Sequence, residues 1–194
     1  MKKYLLLSLL FLSGCTLLQS PPTQLDAPKK ITHENKAYRL GKHRDLIDVT
    51  RYVYWLPKQN AQNWQSAVEL FLDRNKQKRD LQQRIALRKK IYGEHPTGLN
   101  SYNLYTENDY LYGYIIYKPT KLNKSWQVDV LKGKNVDRCG YVQYQYSVKV
   151  ARTGKIRQMS SDKLVGYLKK YVADKELAKL KQADWKWQCV KPKT

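Results

Sequence analysis

The chain has 194 residues, and 37 lysines and arginines against 16 acids give it a net charge of +21. That length suffices for one domain with a real core, and such a charge attracts polyanions within a Debye length of about 8 Å at physiological salt. His33, His43 and His95 are scattered and no cysteine has a C-x-x-C partner, so neither a metal site nor a cofactor is expected.

The first residues read as an export signal. Met1-Lys2-Lys3 is a positive start, and Tyr4 to Leu12 is an almost unbroken apolar run. That run is shorter than the roughly 20 apolar residues a helix needs to cross a bilayer, and it fits a secretory h-region. Leu12-Ser13-Gly14-Cys15 then places a small pair directly before a cysteine. This string resembles the lipobox of bacterial lipoproteins, and the resemblance covers residues 1 to 15. It implies that the Cys15 thiol takes a diacylglyceryl group, that residues 1–14 are removed as a signal peptide, and that the new amino terminus is acylated. Two or three acyl chains make a durable anchor. Thr16 stands where the resemblance puts an aspartate in lipoproteins retained at the inner membrane, which points to the outer membrane. From Cys15 to Lys30, with Pro21, Pro22 and Pro28 among polar residues, the composition reads as a tether, leaving 31–194 as one domain.

Loss of Lys2 and Lys3 leaves 37 − 2 = 35 basic residues against 16 acids, or +19. The partners this suggests are membrane lipid through acylated Cys15, anionic envelope polymers or head groups, and other envelope proteins. Nucleic acid is not expected. Cys139 and Cys189 remain as a pair, and an oxidising compartment favours a disulfide between them. The competing role for Cys139 is a nucleophile paired with His95.

Along the domain, residues 45 to 56 alternate Ile47, Val49, Arg51, Val53 and Trp55 against Asp48, Thr50, Tyr52 and Tyr54, which predicts a strand ended by Pro57. Gln62 to Tyr92 reads as helical, either as one long helix with an exposed middle or, preferably, as two helices meeting near Asn75. Trp64, Ala67, Val68 and Phe71 fall at i, i+3, i+4, i+7, and after a polar stretch the stripe resumes at Leu81 and Ile85. Residues 99 to 151 read as an antiparallel sheet, with turns at Glu107-Asn108-Asp109 and Lys132-Gly133-Lys134-Asn135. The cleanest alternation sets Val142, Tyr144, Tyr146, Val148 and Val150 against Gln143, Gln145, Ser147 and Lys149, one face buried and one wet. Ser160-Ser161-Asp162 offers capping oxygens for a helix through Val172, with Leu164, Leu168 and Tyr171 as its stripe, and Asp174 caps another through Ala183. The expected fold is α+β, an antiparallel four- to five-stranded sheet with helices packed on one face.

No G-x-S-x-G, H-E-x-x-H, P-loop or glycine-rich dinucleotide turn is present, so no catalytic residues are assigned. Glu94-His95 sits among glycine and proline, where exposed polar residues are ordinary. Tyr102, Tyr105, Tyr110, Tyr112, Tyr114, Tyr117, Tyr141, Tyr144 and Tyr146 crowd the sheet region. They suit either a strand surface with one wet end or a stacking platform. The run containing Lys76, Lys78, Arg79, Arg84, Arg88, Lys89 and Lys90 is the candidate anion-binding element, as a basic face near head groups.

The phrase Tyr54-Trp55-Leu56-Pro57-Lys58-Gln59-Asn60-Ala61-Gln62-Asn63-Trp64 is similar to a segment of small uncharacterised exported bacterial proteins and implies no known activity. The reading is a lipid-anchored envelope protein with a basic binding or scaffolding domain and no catalysis. The alternatives are a periplasmic hydrolase of wall or lipid polymers, whose acid pair forms only on folding, and an accessory subunit of an envelope secretion or pilus machine.

Overall fold

A computed structural model describes residues 24–94, 98–121 and 123–190. The segment holding the expected signal, Cys15 and Thr16 lies outside the described residues, as does His95. The expected tether is described from Gln24 onward, where Gln24–Leu25 forms β1 and pairs with Cys189–Val190, β10.

The main sheet has eight antiparallel strands in the order β2-β3-β4-β5-β9-β8-β7-β6. They are β2 Lys30–His33, β3 Lys36–Asp45, β4 Val49–Trp55 and β5 Ser66–Asp73. Helix α1, Leu81–Glu94, follows, and then β6 Leu99–Glu107, β7 Tyr110–Tyr117, β8 Trp126–Val136 and β9 Gly140–Val150. The chain finishes with α2 Ser161–Leu168, a π turn Lys169–Ala173 and α3 Asp174–Gln182, which run on without a break.

This corrects the expected α+β fold. The protein is mostly β, its sheet has eight strands and not four or five, and helices lie on both faces. Alternation along each central strand serves two apolar clusters. Val68, Leu70, Leu72, Tyr114, Ile116, Val128, Val130, Val142, Tyr144 and Tyr146 face one way, beneath Leu164, Leu168, Ala173, Leu177 and Leu180 of the C-terminal helices. Leu104, Leu111, Ile115, Leu131 and Tyr141 face the other way and meet Ile85 of α1. A strand buried on both faces reads as a nearly continuous apolar run, which is why Ser66–Asp73 mimics a helical stripe.

Helix α1 starts where it does because of a reciprocal cap. The Asp80 carboxylate accepts from the Gln83 backbone N–H at 2.7 Å, and the Gln83 side chain accepts from the Asp80 N–H at 3.0 Å. The expected turn at Glu107-Asn108-Asp109 is present, with Asn108 and Asp109 at positive φ. The one expected at 132–135 is not a turn, since β8 continues to Val136. Gly133 sits inside the strand because the Tyr141 ring lies on it. A Cβ there would stand 2.4 Å from the Tyr141 hydroxyl. Two strands absent from the sequence reading, β2 and β3, form a hairpin about Glu34-Asn35, both at positive φ as a tight two-residue turn demands.

Cys139 and Cys189 are disulfide-bonded, with α-carbons 5.6 Å apart. The bond ties the C-terminal tail, and through it β1, to the β8–β9 turn.

Candidate functional site

Helix α1 covers only part of its face of the sheet. Over β3, β4, β5, β9 and β8 the same face forms a cleft of about 300 Å³, lined by Lys42, Arg44, Arg51, Trp55, Trp64, Glu69, Gln127, Asp129, Gln145 and Ser147 among others. Its size is at the lower end of small-ligand sites. The register places these residues together. Arg51 lies beside Glu69 through the β4–β5 ladder, Glu69 pairs with Gln145, and Asp129 pairs with Ser147.

The floor is a directed hydrogen-bond chain. Tyr141 Oη donates to Gln143 Oε1 at 3.1 Å, and Arg88 Nη2 donates to the same oxygen at 2.5 Å. Gln143 Nε2 donates to Gln145 Oε1 at 3.2 Å. Gln145 Nε2 then donates to Asp129 Oδ2 at 3.0 Å, while Gln127 Nε2 donates to Asp129 Oδ1 at 2.8 Å. Each amide orients the next, so the carboxyl of Asp129 is fixed in direction. Burial removes its hydration and pushes it up to about 6, against the lowering effect of Gln127 and Ser147.

The second acid of the cleft is handled differently. Glu69 takes a two-pronged contact from Arg51, Nε to Oε1 at 2.9 Å and Nη2 to Oε2 at 2.6 Å, and that contact raises Arg51. Lys42 and Arg44 stand exposed at the rim with no acidic partner among the described residues. Trp55 is 9% exposed, its ring packed against Gly41, where a Cβ would stand 2.3 Å from Cε3. Trp64 stands at the other wall with Lys149 Nζ 4.2 Å from its ring centre.

The seven residues singled out as anion-binding do not share one face. Lys76, Lys78 and Arg79 lie in the loop before α1, and Lys89 and Lys90 are exposed on the helix. Arg84 is 4% exposed, paired with Asp73 at 2.6 Å and stacked over Tyr141 at 4.0 Å. Arg88 turns inward to Gln143. Of the tyrosines, Tyr112, Tyr114, Tyr144 and Tyr146 are core under the C-terminal helices and Tyr141 is core under α1. A chemical cluster lies elsewhere. His33, Glu34 and Glu176 bring ligand atoms within 4.8 Å of one another, but the Lys179 ammonium already pairs with both carboxylates.

Sequence reasoning missed Asp129, Glu69, Arg51, Lys42 and Arg44. The available signal was Gln127 and Asp129 alternating with Trp126, Val128 and Val130, in step with Gln143, Gln145 and Ser147 on β9. Two neighbouring strands each carry a polar row on what reads as a central sheet.

No solved structure matches this chain. A protein-family model matches residues 25–185. A Haemophilus influenzae protein described as an uncharacterized protein is 37% identical over 196 residues, covering 98% of this chain and 99% of that one. The match takes in the sheet, the cleft and all three helices, and the chain belongs to this family.

Proposed function

We propose that the protein is a lipid-anchored component of the bacterial envelope, held at the outer membrane through Cys15, whose domain binds an anionic, hydroxyl-bearing envelope polymer in the cleft without transforming it. One observation carries the binding reading: a row of oriented polar side chains, Gln127, Asp129, Gln145 and Ser147, lies on the floor of a cleft whose rim cations Lys42 and Arg44 are uncompensated. Oriented amides and a carboxyl suit hydroxyl groups, the part-exposed indole of Trp64 suits an apolar sugar face, and the rim cations suit a phosphate or acidic substituent. The anchor rests on the order and spacing of Met1 to Cys15. The mature domain should take up acidic or phosphorylated glycan fragments from its own envelope, measured by calorimetry. Lys42→Gln with Arg44→Gln should weaken uptake by about tenfold or more, at 1–2 kcal/mol per charged contact. Unaltered binding would remove the cleft from this role. Intact mass and membrane fractionation of wild type and Cys15→Ala test the anchor, and a bare, soluble wild type would refute it.

One observation favours hydrolysis as a second reading. Asp129, pushed up to about 6, and Glu69, held by Arg51, are two acids in unlike surroundings within one cleft, the arrangement acid–base chemistry uses. Turnover of glycan fragments that disappears in Asp129→Asn would select it. A subunit role gains less support, since among the described residues the large apolar side chains left exposed are few, Leu46, Ile47, Ile91, Tyr171 and Val190.

A further inference from the structure

The point at which the chain joins the domain decides which end can face a bilayer. Leu25 pairs with Cys189, and Cys189 is bonded to Cys139 in the β8–β9 turn. Gln24 therefore lies beside that turn. The β3–β4 turn at Leu46-Ile47-Asp48 is at the same end of the sheet, because Asp73 of β5 pairs with Val49 on one side and Tyr141 on the other. From Cys15 to Gln24 is 24 − 15 = 9 residues, at most about 30 Å of extended chain. β9 spans 11 residues, roughly 36 Å, so the anchor keeps this end, and not the opposite one, nearest the membrane.

That end carries an apolar tip. Leu46 is 54% exposed and Ile47 is 76% exposed, and neither joins either apolar cluster. Ile47 has φ of 69°, a left-handed conformation that a β-branched side chain disfavours. The fold enforces it. Ile47 N–H donates to Asp45 Oδ1 at 3.1 Å, and the Arg74 guanidinium donates to the Ile47 carbonyl and to Asp45 Oδ2, the latter at 2.9 Å. Isoleucine is thus clamped outward at a position glycine would occupy with less strain. At the same end Arg74 pairs with Asp45 and Lys76 with Asp48, while Lys78 and Arg79 of the following loop share a shallow pocket with Arg74, Asp80, Asp137 and Arg138, leaving cations in excess of acids.

We propose that the Leu46-Ile47 tip and its basic surround dock on the anionic phospholipid surface to which the protein is anchored, an inference that rests on the lipid-anchor reading. The two apolar side chains enter the boundary between head groups and acyl chains, and Lys76, Lys78 and Arg79 approach the phosphates. Docking fixes which end of the domain points away from the bilayer.

With Cys15 acylated and Cys139 bonded to Cys189, an introduced cysteine is the one free thiol. Ile47→Cys and, at the opposite end, Gln62→Cys carry a polarity-sensitive fluorophore in lipidated protein reconstituted into phosphatidylethanolamine–phosphatidylglycerol vesicles. The expected result is a blue shift and enhanced emission at 47 but not at 62. In an unlipidated Cys15→Ala chain from which residues 1–14 are also deleted, added vesicles should give the same pattern at higher lipid concentration, and Leu46→Asn should weaken that partition by about tenfold or more. A response at 62 alone, at both sites equally, or at neither overturns the proposal. So does concentration-dependent dimerisation without lipid that Ile47→Asn abolishes, which would assign the tip to a second copy of the chain. If native Cys15 proves unacylated, the anchor reading fails by mass, while the vesicle response of the Cys15→Ala chain still decides whether the tip binds lipid.

Discussion

Replacing Asp129 with asparagine should reverse its effect on stability between acid and neutral pH. Asp129 is 4% exposed, and burial lifts its carboxyl from 3.8 to about 6. The unfolded chain ionises first, so wild-type stability falls as pH rises from about 4 to about 6, and the loss above that is about 3 kcal/mol. Asparagine carries no such cost. It turns an amide toward Gln127 or Gln145, both of which donate to Asp129, and one spoiled hydrogen bond costs about 1 kcal/mol. The variant should therefore be about 0.5 kcal/mol less stable than wild type near pH 4, where the unfolded acid is already part ionised, and about 2 kcal/mol more stable near pH 7.5.

Two other carboxyls act with the opposite sign. Arg74 holds Asp45 low, and bonds from His33 and Lys179 outweigh burial to hold Glu176 low. Stability from lowered carboxyls grows with rising pH and is complete above their unfolded values of 3.8 and 4.5, the opposite sign from Asp129. Urea unfolding followed by tryptophan fluorescence at several pH values, taken as variant minus wild type, isolates the one group. A difference that stays within about 1 kcal/mol across the range, or that swings the other way, would refute the account of a desolvated acid on the cleft floor.

Removing the disulfide with Cys139→Ser and Cys189→Ser should cost about 4 kcal/mol by chain entropy for the loop it closes, across a separation of 50 residues; equal unfolding midpoints would contradict this. Arg84→Ala strands Asp73 under α1 and should cost about 3 kcal/mol, whereas Lys89→Gln, exposed on the same helix, should stay within about 0.5 kcal/mol. Ile47→Gly should stabilise by about 0.5–1 kcal/mol, because the relief of a left-handed isoleucine exceeds the entropy of glycine, and thermal unfolding reads the sign. Loss of stability there would mean that the Ile47 side chain packs in the folded domain.

The parts of the fold legible in the sequence are those where one period wins. The sheet region 99–151 was legible, with β9 the most clearly alternating strand, and Ser160 does cap α2, its hydroxyl accepting from Lys163 N. Leu164 and Leu168 are buried as their spacing demands, but Tyr171 is 45% exposed, because the π turn from Lys169 to Ala173 shifts the stripe after Leu168. The Cys139–Cys189 bond was expected from the two cysteines that remain beyond Cys15 and from the oxidising compartment that an export signal would imply. β3 was hidden because only Tyr38 and Leu40 of its ten residues turn to the core, the rest being polar or small.

The error at Gln62–Asp73 and the missed cleft have one cause. A central strand buried on both faces offers no polar alternation, so Ala67, Val68, Leu70, Phe71 and Leu72 satisfy a helical stripe as well as a strand. The one charged residue inside that run, Glu69, looks like the solvent face of a helix. In the strand it is an inward acid that must be matched, and Arg51 on the neighbouring strand matches it. Once β5 is a strand, Glu69, Gln145 and Asp129 fall on one face by register alone. The better boundary was in the sequence too, since Asp80 followed by Gln83 is the signature of a reciprocal cap. It starts the helix at Leu81 and leaves Ser66–Asp73 short enough to be a strand.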